Sequence, residues 1–233
     1  AFAPDMWVFP GGRVESADRE VDLDKIFEGL TDNEASHRLE VPRGGLAWWL
    51  AACRETLEEV GLLLTTEVSM ETHLERWKKE VRKDGTVFVR ILQEANITLD
   101  ATSLEDVARF ITPLGPPRRF DARFFVGRYP VGQQPHQDDG EIVDWRWVDP
   151  LQALAEWKAG HLELMPPTSR MLACLARYST TDAALRAARK RLPPKKVRVV
   201  DPEGEYRVVL PGEPDYETAQ TEIETGWVRL WEA

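Results

Sequence analysis

The order of segments along this chain predicts an α/β fold, a sandwich of helices and strands with a helical insertion. Helix-period apolar stripes and strand-length runs follow one another through the sequence, broken by Gly and Pro. The clearest stripe is Leu46, Trp49, Leu50, Cys53, Leu57 and Val60, one apolar helix face that stops at Gly61, where a left-handed turn can end a helix. The length, 233 residues, suits one domain, or one with an elaboration, and allows a large core.

In order, Trp7-Val8-Phe9 is a short apolar strand entering Pro10-Gly11-Gly12, where the backbone can turn sharply and expose peptide groups. Asp22 to Leu30 predicts a short helix and Leu46 to Val60 a long one, after which Leu62-Leu63-Leu64 begins a strand-like run. Met70 to Lys83 carries the stripe Leu74, Trp77 and Val81 and ends at Asp84-Gly85, and Val87 to Ala95 predicts a further helix despite its β-branched residues. Strands are expected near 107–112, 120–129 and 141–148. In the last, Ile142, Asp144 and Arg146 alternate with Val143, Trp145 and Trp147. Helices follow at 150–159, 167–178 and 182–191, then Pro193-Pro194 and strand-like segments 196–201 and 205–210. There is no internal repeat or low-complexity tract.

The chemistry concentrates in Arg54-Glu55-Thr56-Leu57-Glu58-Glu59-Val60-Gly61-Leu62. On a helix, Glu55, Glu58 and Glu59 stand at i, i+3 and i+4 and share a face, while Arg54 lies four residues before Glu58 and can hold its carboxylate. Like charges on adjacent turns repel, and a solvated acidic face is the usual meaning of such a run. Here the opposite face is apolar, so one side anchors in a core while the other presents acids. A hard cation, Mg²⁺ or Mn²⁺, turns the repulsion into binding. Glu58 and Glu59 are the expected metal ligands. Glu55 is expected to bind metal or to take a proton from an attacking water, with Arg54 orienting Glu58 or Glu59.

Taken together, the Pro-Gly-Gly turn and this helix resemble the signature of the Nudix hydrolases: a glycine, a later acid, then R-E-U-x-E-E-x-G-U, where U is a bulky apolar residue. Gly12 matches the glycine and Asp18 the following acid; Arg54, Glu55, Glu58, Glu59, Gly61 and Leu62 match the rest. Asp18 stands for the usual glutamate, Thr56 fills an apolar slot, and the spacer between the halves has grown to Arg19–Cys53. An insertion there is similar to that of the subgroup that includes a peroxisomal coenzyme A diphosphatase of animals. Ala108–Pro113, Arg118–Phe125 and Glu141–Val148 also resemble that branch.

The resemblance implies an α/β/α sandwich with a mixed sheet over 1–180, with 19–53 as the insertion, and a C-terminal extension, 181–233, packed on the domain or at a dimer interface. Nudix domains carry core strands before the Phe-Pro-Gly-Gly turn, and here the expectation is that a preceding segment supplies them. It also implies metal-dependent hydrolysis of a nucleoside diphosphate linked to another moiety. The branch points to coenzyme A or acyl-coenzyme A; ADP-ribose, NADH and nucleotide sugars are the rivals. A non-catalytic Nudix ligand-binding module is the reading of another class, and the presence of every box acid weighs against it. A homodimer is compatible with the family, with 181–233 as an arm or a lid.

The family often adds an acid from a later loop. Of Asp138, Asp139 and Glu141, the last aligns best with the branch, and an ordinary polar turn is the equal alternative. Arg118 and Arg119, before an aromatic strand, are candidate phosphate clamps, against surface placement or pairing with Asp121. Gly12 and Arg13 are candidates for similar contacts in the turn. Trp48, off the core stripe, can shape a pocket. The basic run from Arg186 to Arg198 reads as a solvated helix end, and His37, His73, His136 and His161 match no metal or triad spacing.

The net charge of −10 opposes general nucleic-acid affinity, which needs Lys and Arg to neutralise phosphates. The expected partner is a small-molecule nucleotide substrate, not nucleic acid or a membrane: no apolar run approaches the roughly 20 residues that span a bilayer. Two cysteines, Cys53 and Cys174, form no disulfide framework or zinc spacing, and Cys53 reads as an inert core thiol. Ala1 to Pro10 has no basic start followed by an apolar stretch, and Trp231-Glu232-Ala233 differs from a Ser-Lys-Leu peroxisomal address. A reducing cytoplasm is the expected location.

Overall fold

The computed structural model describes residues 6–65, 71–113, 118–135, 144–200 and 206–232. The chain divides into two compact units, Pro10–Leu104 with Gly127–Arg146, and Ala1–Phe9 with Glu105–Val126 and Trp147–Ala233.

The first unit runs through 3-10 turns at Ala17–Arg19 and Leu23–Lys25 into β1 (Phe27–Glu28), α1 (Asp32–Leu39), α2 (Leu46–Val60), α3 (Glu71–Lys83), α4 (Val87–Glu94) and β2 (Leu99–Asp100). β1 pairs parallel with β2, Phe27 opposite Leu99. This corrects the helix expected over Asp22 to Leu30. Leu23, Ile26, Phe27 and Leu30 are all buried, and their helix-like spacing serves a turn and a short strand instead. Helix α1 has no long apolar stripe. Its signal is a capping box: Thr31 Oγ1 accepts from the Glu34 N–H at 3.3 Å while the Thr31 N–H donates to Glu34 Oε2 at 2.9 Å.

α2 covers the expected span and packs on α3 through its apolar stripe. Leu46, Trp49, Leu50 and Leu57 are fully buried, as is Val81 of α3. A buried indole needs a partner for its N–H. Trp49 donates to the Ala101 carbonyl at 3.0 Å and lies 3.2 Å from that of Leu104. Beyond α2, no strand forms at Leu62-Leu63-Leu64. Gln133 takes the place of a strand neighbour: its side-chain oxygen accepts the Leu63 N–H and its side-chain nitrogen donates to the Leu63 carbonyl, both at 2.8 Å.

The second unit holds β3 (Leu104–Ile111), β4 (Asp121–Gly127), α5 (Pro150–Lys158), α6 (Pro166–Leu175), α7 (Thr181–Arg189), β5 (Lys195–Lys196), β6 (Arg198–Val200), β7 (Arg207–Val209) and β8 (Gly226–Val228). One sheet runs β4-β3-β8-β5, with β8 antiparallel to both β3 and β5. β6 and β7 pair antiparallel in a separate sheet. With the parallel β1–β2 pair, the described strands include both senses, and helices and strands together form a mixed α/β fold. Val107, Ala108 and Phe110 of β3 share a core with Met171 and Cys174 of α6, Ala188 of α7, and Val228 and Leu230.

Residues 181–233 thus contribute two strands of the four-stranded sheet. A buried ionic group ties them to β3: Arg191 Nη1 lies 2.5 Å from Asp106 Oδ1 and 3.5 Å from Glu105 Oε2, and Arg229 Nε is 3.6 Å from Asp106 Oδ2. Lys195 stacks on Trp231 and Arg198 on Tyr216. The basic run is therefore partly built into the fold rather than only solvated.

Residues 144–149 form no strand, which corrects that part of the span expected at 141–148; 141–143 lie outside the described residues. The alternation there does not track burial. Trp147 is 64% exposed, Asp144 accepts its neighbour's N–H, and Asp149 caps α5 through the N–H groups of Leu151 and Gln152. Trp7, expected in a strand, forms an isolated parallel bridge with Leu164 instead.

Candidate metal and pyrophosphate site

The candidate site lies wholly in the first unit, where the C-terminal half of α2 meets the Gly11–Asp18 turn. Arg54 organises it. Its side chain is 3% exposed and all five of its N–H donors are engaged. Nε reaches Asp18 Oδ1 at 3.2 Å. Nη2 donates to Asp18 Oδ2 at 3.2 Å and to the Arg13 carbonyl at 2.7 Å. Nη1 donates to Glu55 Oε1 at 2.9 Å and Glu58 Oε2 at 3.4 Å. Burial works against the guanidinium's charge, but Asp18 and Glu55 outweigh it and raise its pKa. No donor remains for a substrate, so Arg54 acts by holding carboxylates.

Asp18 is buried and also accepts the Glu15 N–H at 2.8 Å, which closes the turn on the arginine. The Gly-Gly pair explains itself at the helix. Gly11 N–H donates to Glu59 Oε2 at 2.9 Å. A Cβ on Gly12 would stand 2.2 Å from Glu55 Oε1, so only glycine lets that carboxylate lie against the backbone. Burial raises the Glu55 pKa; Arg54 opposes this, and the charges of Asp18 and Glu15 add to it. Gly61, at φ 72°, ends α2 with its N–H on the Leu57 carbonyl.

The structure therefore brings together Gly12, Arg13, Arg54, Glu55, Glu58 and Glu59. Arg13 enters through its carbonyl, while the residue itself is exposed. Arg118 and Arg119 lie in the other unit, both exposed; Arg119 Nε donates to the Thr112 carbonyl at 2.8 Å. Asp121 pairs bidentately with Arg109, at 2.7 and 2.6 Å, rather than with either of them. Glu141 lies outside the described residues. The motif alone assigns Asp18 no task; in the structure its carboxylate grips Arg54. Cys53 and Cys174 are buried, and burial pushes both thiols up to about 12.

Several carboxylates around one saturated guanidinium leave an excess of negative charge suited to a hard cation. Among the described residues no three His, Cys, Asp or Glu side chains already converge as one ion's ligands. That arrangement still fits Mg²⁺, which keeps several waters and is usually held by one or two carboxylates plus substrate phosphates.

The model of the NUDT19 Nudix domain matches residues 26–175. The chain belongs to the Nudix family. The match includes the Arg54–Leu62 half of the box, and the structure adds the Gly12–Asp18 half to it. This Nudix chain is 25% identical to an acyl-coenzyme A diphosphatase, NUDT19, of Xenopus laevis over 76% of its own length and 57% of the relative's. The human protein of the same name gives 25% identity, with 77% and 58% covered. The chain thus spans a little over half the length of these relatives. Among solved structures, a Nudix hydrolase from Alicyclobacillus acidocaldarius superposes with a TM-score of 0.65 at 26% identity, covering 79% of this chain and 82% of that one.

Proposed function

We propose that this Nudix chain is a pyrophosphohydrolase that cleaves coenzyme A or an acyl-coenzyme A, with Mg²⁺ or Mn²⁺. The products would be adenosine 3′,5′-bisphosphate and a 4′-phosphopantetheine fragment. The names of its relatives support the substrate, and one observation carries the chemistry: Arg54 is consumed in holding Asp18, Glu55 and Glu58, so the carboxylate group is built for a cation rather than for an anion alone.

Glu58 and Glu59 are the proposed metal ligands; a bound divalent ion neutralises phosphate charge and lowers the pKa of water. Glu55 takes the proton from the attacking water. Its raised pKa makes it a stronger base than an ordinary carboxylate, provided it is ionised at the working pH. The water oxygen then bonds to one phosphorus, and the bridging oxygen leaves with the other phosphate. Arg54 keeps Glu55 and Glu58 apart from free rotation, and Gly12 admits Glu55 to the turn. We also propose a cytoplasmic location, which the two buried free thiols support.

A panel assay with Mg²⁺ or Mn²⁺ tests this, using coenzyme A, acetyl-coenzyme A, ADP-ribose, NADH and a nucleotide sugar, with products resolved by mass. Adenosine 3′,5′-bisphosphate released fastest from the coenzyme A substrates is the expected result. Preferred turnover of ADP-ribose or NADH refutes the substrate and keeps the chemistry; no turnover across the panel refutes both.

A further inference from the structure

Helix α2 carries its charges the wrong way round. Its first turn has no acidic residue and its last turn no basic one, while Glu58 and Glu59 sit near its C-terminus, where the helix dipole disfavours anions. Its N-cap, Gly45, has no side chain with which to cap it. Such a helix needs its N-terminus satisfied from elsewhere.

That partner comes from the segment between the two halves of the box. Asp32, the first residue of α1, accepts the Leu46 N–H on Oδ1 at 2.9 Å and the Gly44 N–H on Oδ2 at 3.0 Å. Ser36, one turn further along α1, accepts the Gly45 N–H on Oγ at 2.9 Å. Three consecutive amides at the start of α2 are thus satisfied by one helical turn of α1. The approach is close: a Cβ on Gly45 would meet the Ser36 nitrogen at 2.1 Å. α1 is itself held at its start by the Thr31–Glu34 capping box, so the brace is anchored before it reaches α2.

We infer that Asp32 is a positioning residue for the site helix, and that the part of the Arg19–Cys53 segment preceding α2 serves the reaction by bracing that helix through it. Its anionic carboxylate supplies the charge missing from the first turn and offsets the misplaced acids at the other end. A cation on Glu58 and Glu59 favours the same helix from its C-terminus. Brace and cation therefore act on one structural element, and loss of the first weakens the second. The functional part of this inference rests on the metal-dependent hydrolysis proposed above; the mechanical part does not.

The test compares wild type, Asp32→Ala, Asp32→Asn and Ser36→Ala in the full chain. Readouts are Mn²⁺ binding by electron paramagnetic resonance, kcat and KM on the best panel substrate, and amide hydrogen exchange along α2. Asp32→Ala should weaken Mn²⁺ binding and lower kcat by roughly tenfold with KM little changed, and speed exchange as far as Glu55–Glu59. Asp32→Asn should recover much of this, because its amide oxygen can still accept the Leu46 N–H. Ser36→Ala, which removes one acceptor and no charge, should show a smaller effect and serves if Asp32→Ala does not fold. Faster exchange confined to the first turn of α2, with Mn²⁺ affinity and kcat unchanged, would overturn the inference. If wild type neither binds Mn²⁺ nor turns over a substrate, the proposed function fails, and exchange across Glu55–Glu59 alone decides whether Asp32 braces the helix.

Discussion

Replacing Gly12 with alanine perturbs one contact and leaves the core untouched. The new methyl carbon would begin 2.2 Å from Glu55 Oε1 and 2.3 Å from Cδ, where ordinary contact starts near 3.4 Å. The carboxylate must retreat by about 1 Å, and its 2.9 Å hydrogen bond from Arg54 then stretches or breaks. Gly12 is exposed, so little stability is at stake, and a surface change of this kind costs about 0.5 kcal/mol. Catalysis is more sensitive, since a misplacement of about 1 Å can cost on the order of 10²-fold in rate. Gly12→Ala should therefore fold with a near-wild-type melting temperature and lose roughly 10²-fold in kcat, read as product release from coenzyme A at saturating Mg²⁺. A fully active Gly12→Ala enzyme would show that the close approach of Glu55 to the turn has no part in the reaction.

Glu58→Gln and Glu59→Gln should each lower metal-dependent turnover by on the order of 10²-fold with unchanged far-UV circular dichroism; near-wild-type activity in both removes the proposed ligands. Glu55 has a folded pKa above its unfolded value, so its contribution to stability is fully present below the ordinary carboxylate pKa and is lost as pH rises through the folded pKa. In chelator, Glu55→Gln should therefore melt higher relative to wild type at neutral pH than at pH 4, and the opposite trend refutes the burial argument. Gln133→Ala leaves the buried Leu63 N–H without its partner, while the Leu63 carbonyl keeps the Thr65 N–H at 2.9 Å, and should cost about 1–3 kcal/mol in urea unfolding, with Gln133→Glu a poor substitute because a carboxylate cannot donate to the Leu63 carbonyl. Arg191→Ala leaves Asp106 buried against one more distant arginine and should destabilise the chain by about 3 kcal/mol.

What the sequence shows about this molecule follows from the range of each interaction. α2 was legible because its stripe, its acids and its terminating glycine lie within one helix, and local periodicity reports them directly. The partner of Arg54 was not legible: Asp18 stands 36 positions away, and nothing in its spacing tells that its carboxylate turns inward. The strands show the same limit. β1, β2, β5 and β8 are two or three residues long, too short for alternation to register, and β8 pairs with β3 across most of the C-terminal half of the chain. At 144–149 the pattern alternates and no strand forms, because alternation reports a half-buried sheet only when a neighbouring strand is there to bury one face. At Leu62-Leu63 burial was legible and its agent was not, since a glutamine side chain 70 positions away bonds to both backbone groups of Leu63.

A box motif names the candidate residues for a cation and is silent about what keeps them in place. Glu55, Glu58 and Glu59 repel one another and two of them oppose the helix dipole, so α2 in isolation would favour fraying at the end where chemistry is done. The folded chain counters this with Arg54 and its buried Asp18, with the Gly11 amide on Glu59, with Gln133 just past the C-terminus and with Asp32 at the start. The proposed cation site crowds anions that repel one another, and the restraints around α2 offset that repulsion. Binding should therefore raise the melting temperature most where a restraint has been removed yet the helix still forms, so Mg²⁺ should rescue Gln133→Ala by more degrees than it adds to wild type.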